Sequence, residues 1–368
     1  MTGFHGLRLT LVGPLPPPAG GMANQTRQLA ELLRGAGARV EIVRSNAPYR
    51  PVWVGGVPVG RAFFRLLPFL WALWRSAGSS DLFHVMANSG WSWHLFAAPA
   101  IRIAALRGVP VVVNYRGGEA APFLARSHGR VRATLATASA LIVPSGYLQE
   151  VFARYGIESE VVPNIVDLDR FHPASPPGPR GAHLVVARNL EPIYDNATAL
   201  RAFAQVRKQH PTARLTIAGT GPELAPLQAL ATELGVSDGV RFPGRLDRDA
   251  MAALYREADV MLNPSTVDNM PNSVLEALAS AVPVVSTDVG GVPYIVHDGT
   301  TALLVKPGDP SAMAAAALRL LDNSDLANTL VAAGVEEVRR YTWSKVQGVL
   351  AACYSRVLVA PGAYGQGH

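Results

Sequence analysis

The sequence predicts an α/β protein made of two doubly wound, Rossmann-like domains. Three observations carry this. Short β-branched runs alternate with helical stretches in both halves, the signature of βαβ units on parallel sheets. The alternation is broken once, by Pro173-Ala174-Ser175-Pro176-Pro177-Gly178-Pro179, where four prolines in seven residues can continue neither a helix nor a central strand. The 368 residues suit two domains better than one.

In the first half the predicted strands are Leu7–Val12, Val40–Arg44, Leu82–Met86, Val109–Asn114 and Leu141–Val143, with a helix over Ala23–Arg34 after the Gly20-Gly21 turn. The second half repeats the plan with His183–Ala187, Arg214–Ala218, Val240–Phe242, Val260–Asn263, Val282–Thr287 and Ala302–Val305. Val346, Val349, Leu350, Cys353 and Val357 recur at helical spacing, so a last helix is expected to pack back across the domains. The expected organisation is an N-terminal domain over 1–175, a C-terminal domain over 176–342, that helix over 343–360 and a tail over 361–368.

Composition narrows the class. With 49% hydrophobic and 16% charged residues, the chain is neither disordered nor fibrous. Its single cysteine, Cys353, cannot form an internal disulfide, which suits a reducing compartment and a packing role. The first apolar run ends at Gly13-Pro14 and reads as a buried strand rather than a signal peptide, so the expected location is cytoplasmic. No apolar stretch is long enough for a membrane span, and Val59–Trp74 is interrupted by Arg61, Arg65 and Pro68. Charge is uneven: residues 1–175 hold 17 Arg and no Lys against 9 acidic residues, a net of +8, while the remainder is at −2. Such a half can attract an anionic membrane or an acidic acceptor. No helix-turn-helix, zinc-ligand or RNA-reading motif points to nucleic acid.

Chemistry concentrates between Asp268 and Glu276, where Asp268-Asn269-Met270-Pro271-Asn272-Ser273-Val274-Leu275-Glu276 joins a strand end to a helix over Ser273–Ala279. Backbone N–H groups of Asn272, Ser273 and Val274 are expected to be unpaired there, a ready site for a diphosphate. Glu276, a turn inside the helix, can reach a ribose hydroxyl pair, and Asp268 can hydrogen-bond a sugar ring; equally, Asp268 can cap a turn and Glu276 can be a solvated helix residue. Gly20 and Gly21 admit close approach of a phosphate to the backbone or simply make a tight turn.

These residues resemble the retaining glycosyltransferases of the GT-B fold called group 1, or family 4-like, in which two acidic residues stand eight positions apart at this point. The resemblance extends through Val162-Pro163-Asn164-Ile165-Val166-Asp167-Leu168-Asp169-Arg170-Phe171, Ile217-Ala218-Gly219-Thr220-Gly221-Pro222-Glu223, Gly290-Gly291-Val292-Pro293 and Ala302-Leu303-Leu304-Val305-Lys306-Pro307-Gly308-Asp309. It implies two domains facing each other across a cleft, and a sugar moved with retention from a nucleotide diphosphate, with uridine the expected base. The acceptor it implies is a glycan or a lipid-linked molecule in cell-surface polysaccharide or glycoconjugate synthesis.

By the same resemblance Asp268, Glu276 and Arg188 are catalytic, and Arg188 grips the diphosphate. Gly20, Gly21, Gly219, Asn272, Ser273, Val274 and Glu276 line the donor, the glycine loop being stiffened by Pro16-Pro17-Pro18. The chain departs from the pattern twice. Tyr194 stands where the family places a lysine, so leaving-group charge must rest on Arg188 and helix amides unless Arg245 or Lys306 takes part. Arg116 stands where the family places a histidine; with Asn24 and Glu119 it is assigned to the sugar or acceptor side.

Asp167-Leu168-Asp169 and Asp247-Arg248-Asp249 read as interdomain signature and helix cap rather than metal ligands, and no cofactor or metal is expected. The stretch Arg61–Arg75, bulky and apolar with interspersed arginines, fits either a helix packed on the sheet or one lying at a membrane interface. Two other functions share the fold: a sugar-nucleotide epimerase, for which no carboxylate cluster is evident, and a catalytically silent nucleotide-sugar-binding subunit. No Gly-x-Gly-x-x-Gly follows the first strand, which argues against a nicotinamide dehydrogenase.

Overall fold

The computed structural model describes residues 3–17, 20–48, 60–174 and 181–359, without the side chains of 60–63. Pro18, the linker residues 175–180, the Arg61 side chain and the tail 361–368 lie outside the described residues. The described residues fall into two compact units, one within Met1–Asn164 and Val346–His368, the other within Ile165–Lys345.

The first unit carries β1 (Arg8–Gly13), α1 (Gly21–Gly35), β2 (Arg39–Arg44), α2 (Gly60–Ala77), β3 (Leu82–Ala87), α3 (Ala98–Leu106), β4 (Val111–Tyr115), α4 (Ala120–Leu135), β5 (Ala140–Val143), α5 (Gly146–Ala153) and β6 (Glu160–Val161). The strands form one parallel sheet in the order β2-β1-β3-β4-β5-β6. Its central strands read as mainly apolar runs because helices cover both faces, and β3, β4 and β5 are buried throughout, His84 and Asn114 included. The two-residue β6 has no sequence signature; only its place beside β5 makes it a strand.

The second unit carries β7 (His183–Ala187), α6 (Asn196–Gln209), β8 (Arg214–Ala218), α7 (Leu224–Glu233), β9 (Val240–Gly244), α8 (Arg248–Arg256), β10 (Val260–Asn263), α9 (Asn272–Ala279), β11 (Val284–Thr287), β12 (Leu303–Val305), α10 (Pro310–Asp322) and α11 (Ser324–Val338). The sheet order is β12-β11-β10-β7-β8-β9, all parallel. β7 therefore has β8 on one side and β10 on the other, so chain direction across the sheet reverses between β7 and β10. In open α/β sheets ligands bind beyond the carboxyl ends of the strands at such a reversal.

Two strands begin two residues later than expected, for one reason. Pro110 and Pro283 have no N–H to give to a ladder, so β4 opens at Val111 and β11 at Val284, while the proline carbonyls accept from Phe83 and Met261 at 2.9 Å. Pro243 is tolerated in β9 because that strand is the sheet edge.

The last helix, α12 (Trp343–Val359), lies from Val346 onward in the first unit. Val346, Leu350, Cys353, Tyr354 and Val357 are its buried face, and burial pushes the Cys353 thiol up to about 11. Val349, expected on that face, is exposed instead, at the edge of the buried stripe one turn before Cys353.

Candidate functional site

Arg188 follows β7 directly, and Asn263 is the last residue of β10, so the two meet at the strand-order reversal. The Arg188 Nε donates to Asn263 Oδ1 at 2.8 Å, and its Nη2 donates to Asp268 Oδ2 in a close ion pair. Both charged side chains are only 11% exposed, which makes this a sequestered pair rather than a surface one. Asn263 is fully buried and serves as the hub: its Oδ1 also accepts from Ser265 Oγ at 2.9 Å, and its Nδ2 donates to Ser286 Oγ at 2.9 Å. Burial raises the Asp268 carboxyl above its ordinary value, while Arg188, the Asn269 amide and Ser265 pull it back.

Two glycines let the main chain close around this pair. A Cβ on Gly219 would overlap the Arg188 carbonyl oxygen. One on Gly290, whose φ is +54°, would overlap that of Asp268, which accepts from the Gly291 N–H at 2.8 Å. Both family motifs containing these glycines thus act by fixing the backbone that carries the ion pair.

Five residues past Pro271, on α9, stands Glu276. Burial lifts its carboxyl to about 7, with the Arg248 and Arg188 charges and the Tyr255 hydroxyl opposing. Tyr255 is fully buried, and its hydroxyl donates to the Ser273 carbonyl at 3.1 Å, which braces the first turn of α9. That turn corrects one expectation: the Val274 N–H is already bonded to the Pro271 carbonyl at 3.2 Å, because the helix start tightens into an i−3 turn. The Ser273 hydroxyl is buried without a hydrogen-bond partner.

Tyr194 closes the short helical turn Pro192–Tyr194, and the Arg188 guanidinium carbon lies 5.2 Å from its ring centroid. The position that carries a cation in the resembling family here carries an aromatic face under one.

In the first unit the predicted Arg116 ends a polar relay. Its Nε donates to Asn114 Oδ1 at 2.7 Å, and its Nη1 to Asn164 Oδ1 and, at 3.4 Å, to Gln25 Oε1 on α1. Asn114 Nδ2 lies 2.9 Å from His84 Nε2, and His84 Nδ1 lies 2.7 Å from the Tyr354 hydroxyl on α12. Arginine has only donors, so the Asn114 oxygen must face Arg116 and its NH2 must face His84. His84 is therefore the Nδ1–H tautomer, donating to Tyr354. Burial, then the Arg116 charge, lowers its pKa to about 3, and burial lowers Arg116 to about 10.

The sequence-predicted residues sort as follows. Arg188, Asp268 and Tyr194 come together, with Glu276 close enough for Arg188 to bear on its titration. Gly20 and Gly21 open α1, and a Cβ at either would meet no atom of the described residues within 4 Å. Asn24 lies on α1 beside Gln25, and its N–H donates to the Gly20 carbonyl at 3.0 Å. Glu119 is exposed ahead of α4. Arg245 is exposed, and Lys306 pairs with Asp288 at 2.6 Å. Asp247 caps α8 through the Ala250 N–H at 2.8 Å, Asp249 pairs with Arg170 at 3.1 Å, and Asp167 pairs with Arg248 at 3.3 Å. Among the described residues no three His, Cys, Asp or Glu side chains gather as a metal-ligand group.

Sequence reasoning missed Asn263, Tyr255, Arg248 and the His84–Asn114 relay. Asn263 carried the one available signal, a polar residue ending an apolar strand.

Both halves of the chain match known protein families. Residues 19–170 match the family described as Glycosyltransferase Family 4, and residues 182–323 match that described as Glycosyl transferases group 1. The chain is similar to a D-inositol 3-phosphate glycosyltransferase of Acidothermus cellulolyticus, 35% identical over 53% of this chain and 48% of that protein. It is also similar to a phosphatidyl-myo-inositol mannosyltransferase of Mycobacterium leprae, 28% identical over 92% and 93%. The chain spans about half the length of the first of these relatives. Among solved structures, sucrose-phosphate synthase from Thermosynechococcus elongatus superposes with a TM-score of 0.77 at 22% identity, over 96% of this chain and 99% of that one. Anabaena HepE in complex with UDP and glucose gives 0.74 at 17%, over 95% and 99%.

Proposed function

From a chain of GT-B fold whose halves are family 4 and group 1 glycosyltransferase domains, we propose an enzyme that moves a sugar from a nucleotide diphosphate sugar, UDP-linked, to a glycan or lipid-linked acceptor. One observation carries the reading: a sequestered Arg188–Asp268 pair stands at the strand-order reversal of the second sheet, with Glu276 a turn into the next helix. The relative named for a phosphatidylinositol acceptor and the solved neighbour holding UDP and glucose support the two substrate classes.

In this reading the donor replaces each half of the ion pair with a better partner. The diphosphate takes the Arg188 guanidinium through two oxygens, and a hydroxyl of the sugar takes the freed Asp268 carboxylate. The Glu276 carboxylate accepts from the ribose hydroxyls. The bond from anomeric carbon to phosphate oxygen breaks, the acceptor oxygen bonds to that carbon on the same face, and the acceptor proton passes to the departing phosphate. Arg188, steadied by Asn263 and Tyr194, neutralises the charge that grows on the diphosphate; one well-aimed donor of this kind is worth about 3–4 kcal/mol. No metal takes part, and the anomeric configuration is kept. Arg116, held by its relay, is assigned to the transferred sugar or the acceptor.

Calorimetric titration with UDP, GDP and ADP tests the assignment. UDP should bind, and Glu276→Ala should weaken it at least about tenfold, or 1.4 kcal/mol. Unchanged nucleotide affinity in that variant rules the site out. Incubating a UDP-sugar without acceptor separates a transferase from an epimerase, since only the latter converts donor to an isomer.

A further inference from the structure

Helix α2 is apolar on the wrong side. Phe69 and Leu73 are buried in the core of the first unit, as an amphipathic helix requires, and Phe69 packs edge-on against Phe96 with centroids 5.3 Å apart. The opposite face should then be polar. It carries instead Phe64, Leu67, Trp71 and Trp74, exposed by 44, 49, 66 and 50% and spaced three, four and three residues apart, so that they form one stripe along the helix.

The charges beside the stripe are cationic. The Arg75 guanidinium carbon lies 5.5 Å from the Trp71 ring centroid, and that of Arg107, just past α3, lies 4.7 Å from the Trp74 centroid. Neither α2 nor α3 contains an acidic residue, and Glu41 on β2 pairs with Arg75 at 3.4 Å while both remain largely exposed. Indole rings under guanidinium groups, with a net +8 over residues 1–175, complement a surface that is greasy and negative at once. No helix among the described residues is long and apolar enough to cross a membrane, so the stripe suits lying in an interface.

We propose that α2 docks the protein on the headgroup region of an anionic lipid bilayer, with Phe64, Leu67, Trp71 and Trp74 inserted among the acyl-chain ends and Arg75 and Arg107 on lipid phosphates. This goes beyond the donor-site reading and does not depend on it. The test is co-sedimentation of the full chain with vesicles of phosphatidylcholine, with and without phosphatidylglycerol. The wild-type protein should partition onto the anionic vesicles, less so at high salt. Trp71→Gln/Trp74→Gln should reduce partitioning at least about tenfold while keeping its thermal midpoint and UDP affinity, because both residues are exposed. Arg75→Gln/Arg107→Gln should lose the preference for anionic over neutral vesicles.

Absence of wild-type binding overturns the proposal, as does undiminished binding by the folded tryptophan variant. A wild-type dimer in sedimentation velocity that the tryptophan variant cannot form also overturns it, and gives the stripe to a second copy of the chain. Loss of vesicle binding with UDP affinity intact bears on this surface alone, and loss of UDP affinity bears on the donor site.

Discussion

Removing Arg188 should unfold the second unit more readily, and the reason can be isolated. With both side chains 11% exposed, Arg188→Ala strands the Asp268 carboxylate, leaving it only the Asn269 amide and Ser265 as partners. Breaking one side of a buried pair costs about 3–5 kcal/mol. At roughly 2–4 °C per kcal/mol this is a fall of about 6–20 °C in Tm at pH 8. The penalty should shrink in acid. The Asp268 carboxyl already sits above its ordinary value through burial, and without the Arg188 charge it rises further, so lowering the pH neutralises the stranded group and returns stability. Arg188→Ala/Asp268→Ala removes the orphan and should regain most of the loss, yet still fail to bind UDP. Calorimetry and urea unfolding of both variants, paired with UDP titration, make the measurement. A single variant within about 0.5 kcal/mol of wild type refutes the sequestered pair, and a double variant as unstable as the single one refutes the orphaned carboxylate as its cause.

Three further outcomes are expected. Glu276→Gln should be more stable than wild type at pH 8 and equal to it near pH 4: burial raises this carboxyl to about 7, so wild-type stability falls as pH climbs from the unfolded value through 7, whereas glutamine does not titrate. The full shift is worth about 3 kcal/mol and partial access to water roughly halves it, so thermal scans across pH should separate the two by about 1–2 kcal/mol at the alkaline end. Gly219→Ala should lose at least about 1–3 kcal/mol and weaken UDP binding, because its Cβ displaces the Arg188 carbonyl; calorimetry showing neither effect would mean that the loop yields at no cost. Tyr354→Phe should lose about 1–3 kcal/mol by leaving the buried His84 Nδ1–H without an acceptor, and an unchanged midpoint would contradict the tautomer inferred from Arg116.

The sheets were legible because both are parallel and covered on both faces. Their strands are mainly apolar runs bounded by turn residues, and His183–Ala187, Arg214–Ala218 and Val260–Asn263 come out residue for residue. Where boundaries slipped, at Val111 and Val284, the missing proline N–H decided them. Of the candidate site, Asp268 and Glu276 stood out by their spacing and Arg188 by the family resemblance. The ties among them were not, since an Arg188–Asn263 bond spans 75 residues and exists only because β7 and β10 are neighbours. The same holds for His84 and Tyr354, 270 residues apart. Periodicity said that Arg61–Arg75 was helical and amphipathic, but not which face met water. The apolar face toward solvent is visible only once Phe69 and Leu73 are seen in the core.

The tyrosine at position 194 looked, in sequence, like the loss of a charge. In the structure it is better described as a different way of handling one. A lysine there would add a second, mobile cation to be held apart from Arg188 until the donor arrives. Tyr194 instead places its ring against the Arg188 guanidinium, while Asn263 holds the Nε from behind and Gly219 fixes the carbonyl, so the single cation is constrained from three directions. Lys306 and Arg245, the substitutes that sequence offered, are exposed, and Lys306 is engaged with Asp288. Arg248 is the cation whose charge bears most on Glu276, ahead of Arg188 itself. In the proposed reaction, charge neutralisation then rests on Arg188 at the strand end, while Arg248 acts on the helix carboxylate. Because preorganised charge needs no rearrangement as the leaving group departs, a rigid arginine can substitute for a flexible lysine without the site losing its electrostatic purpose.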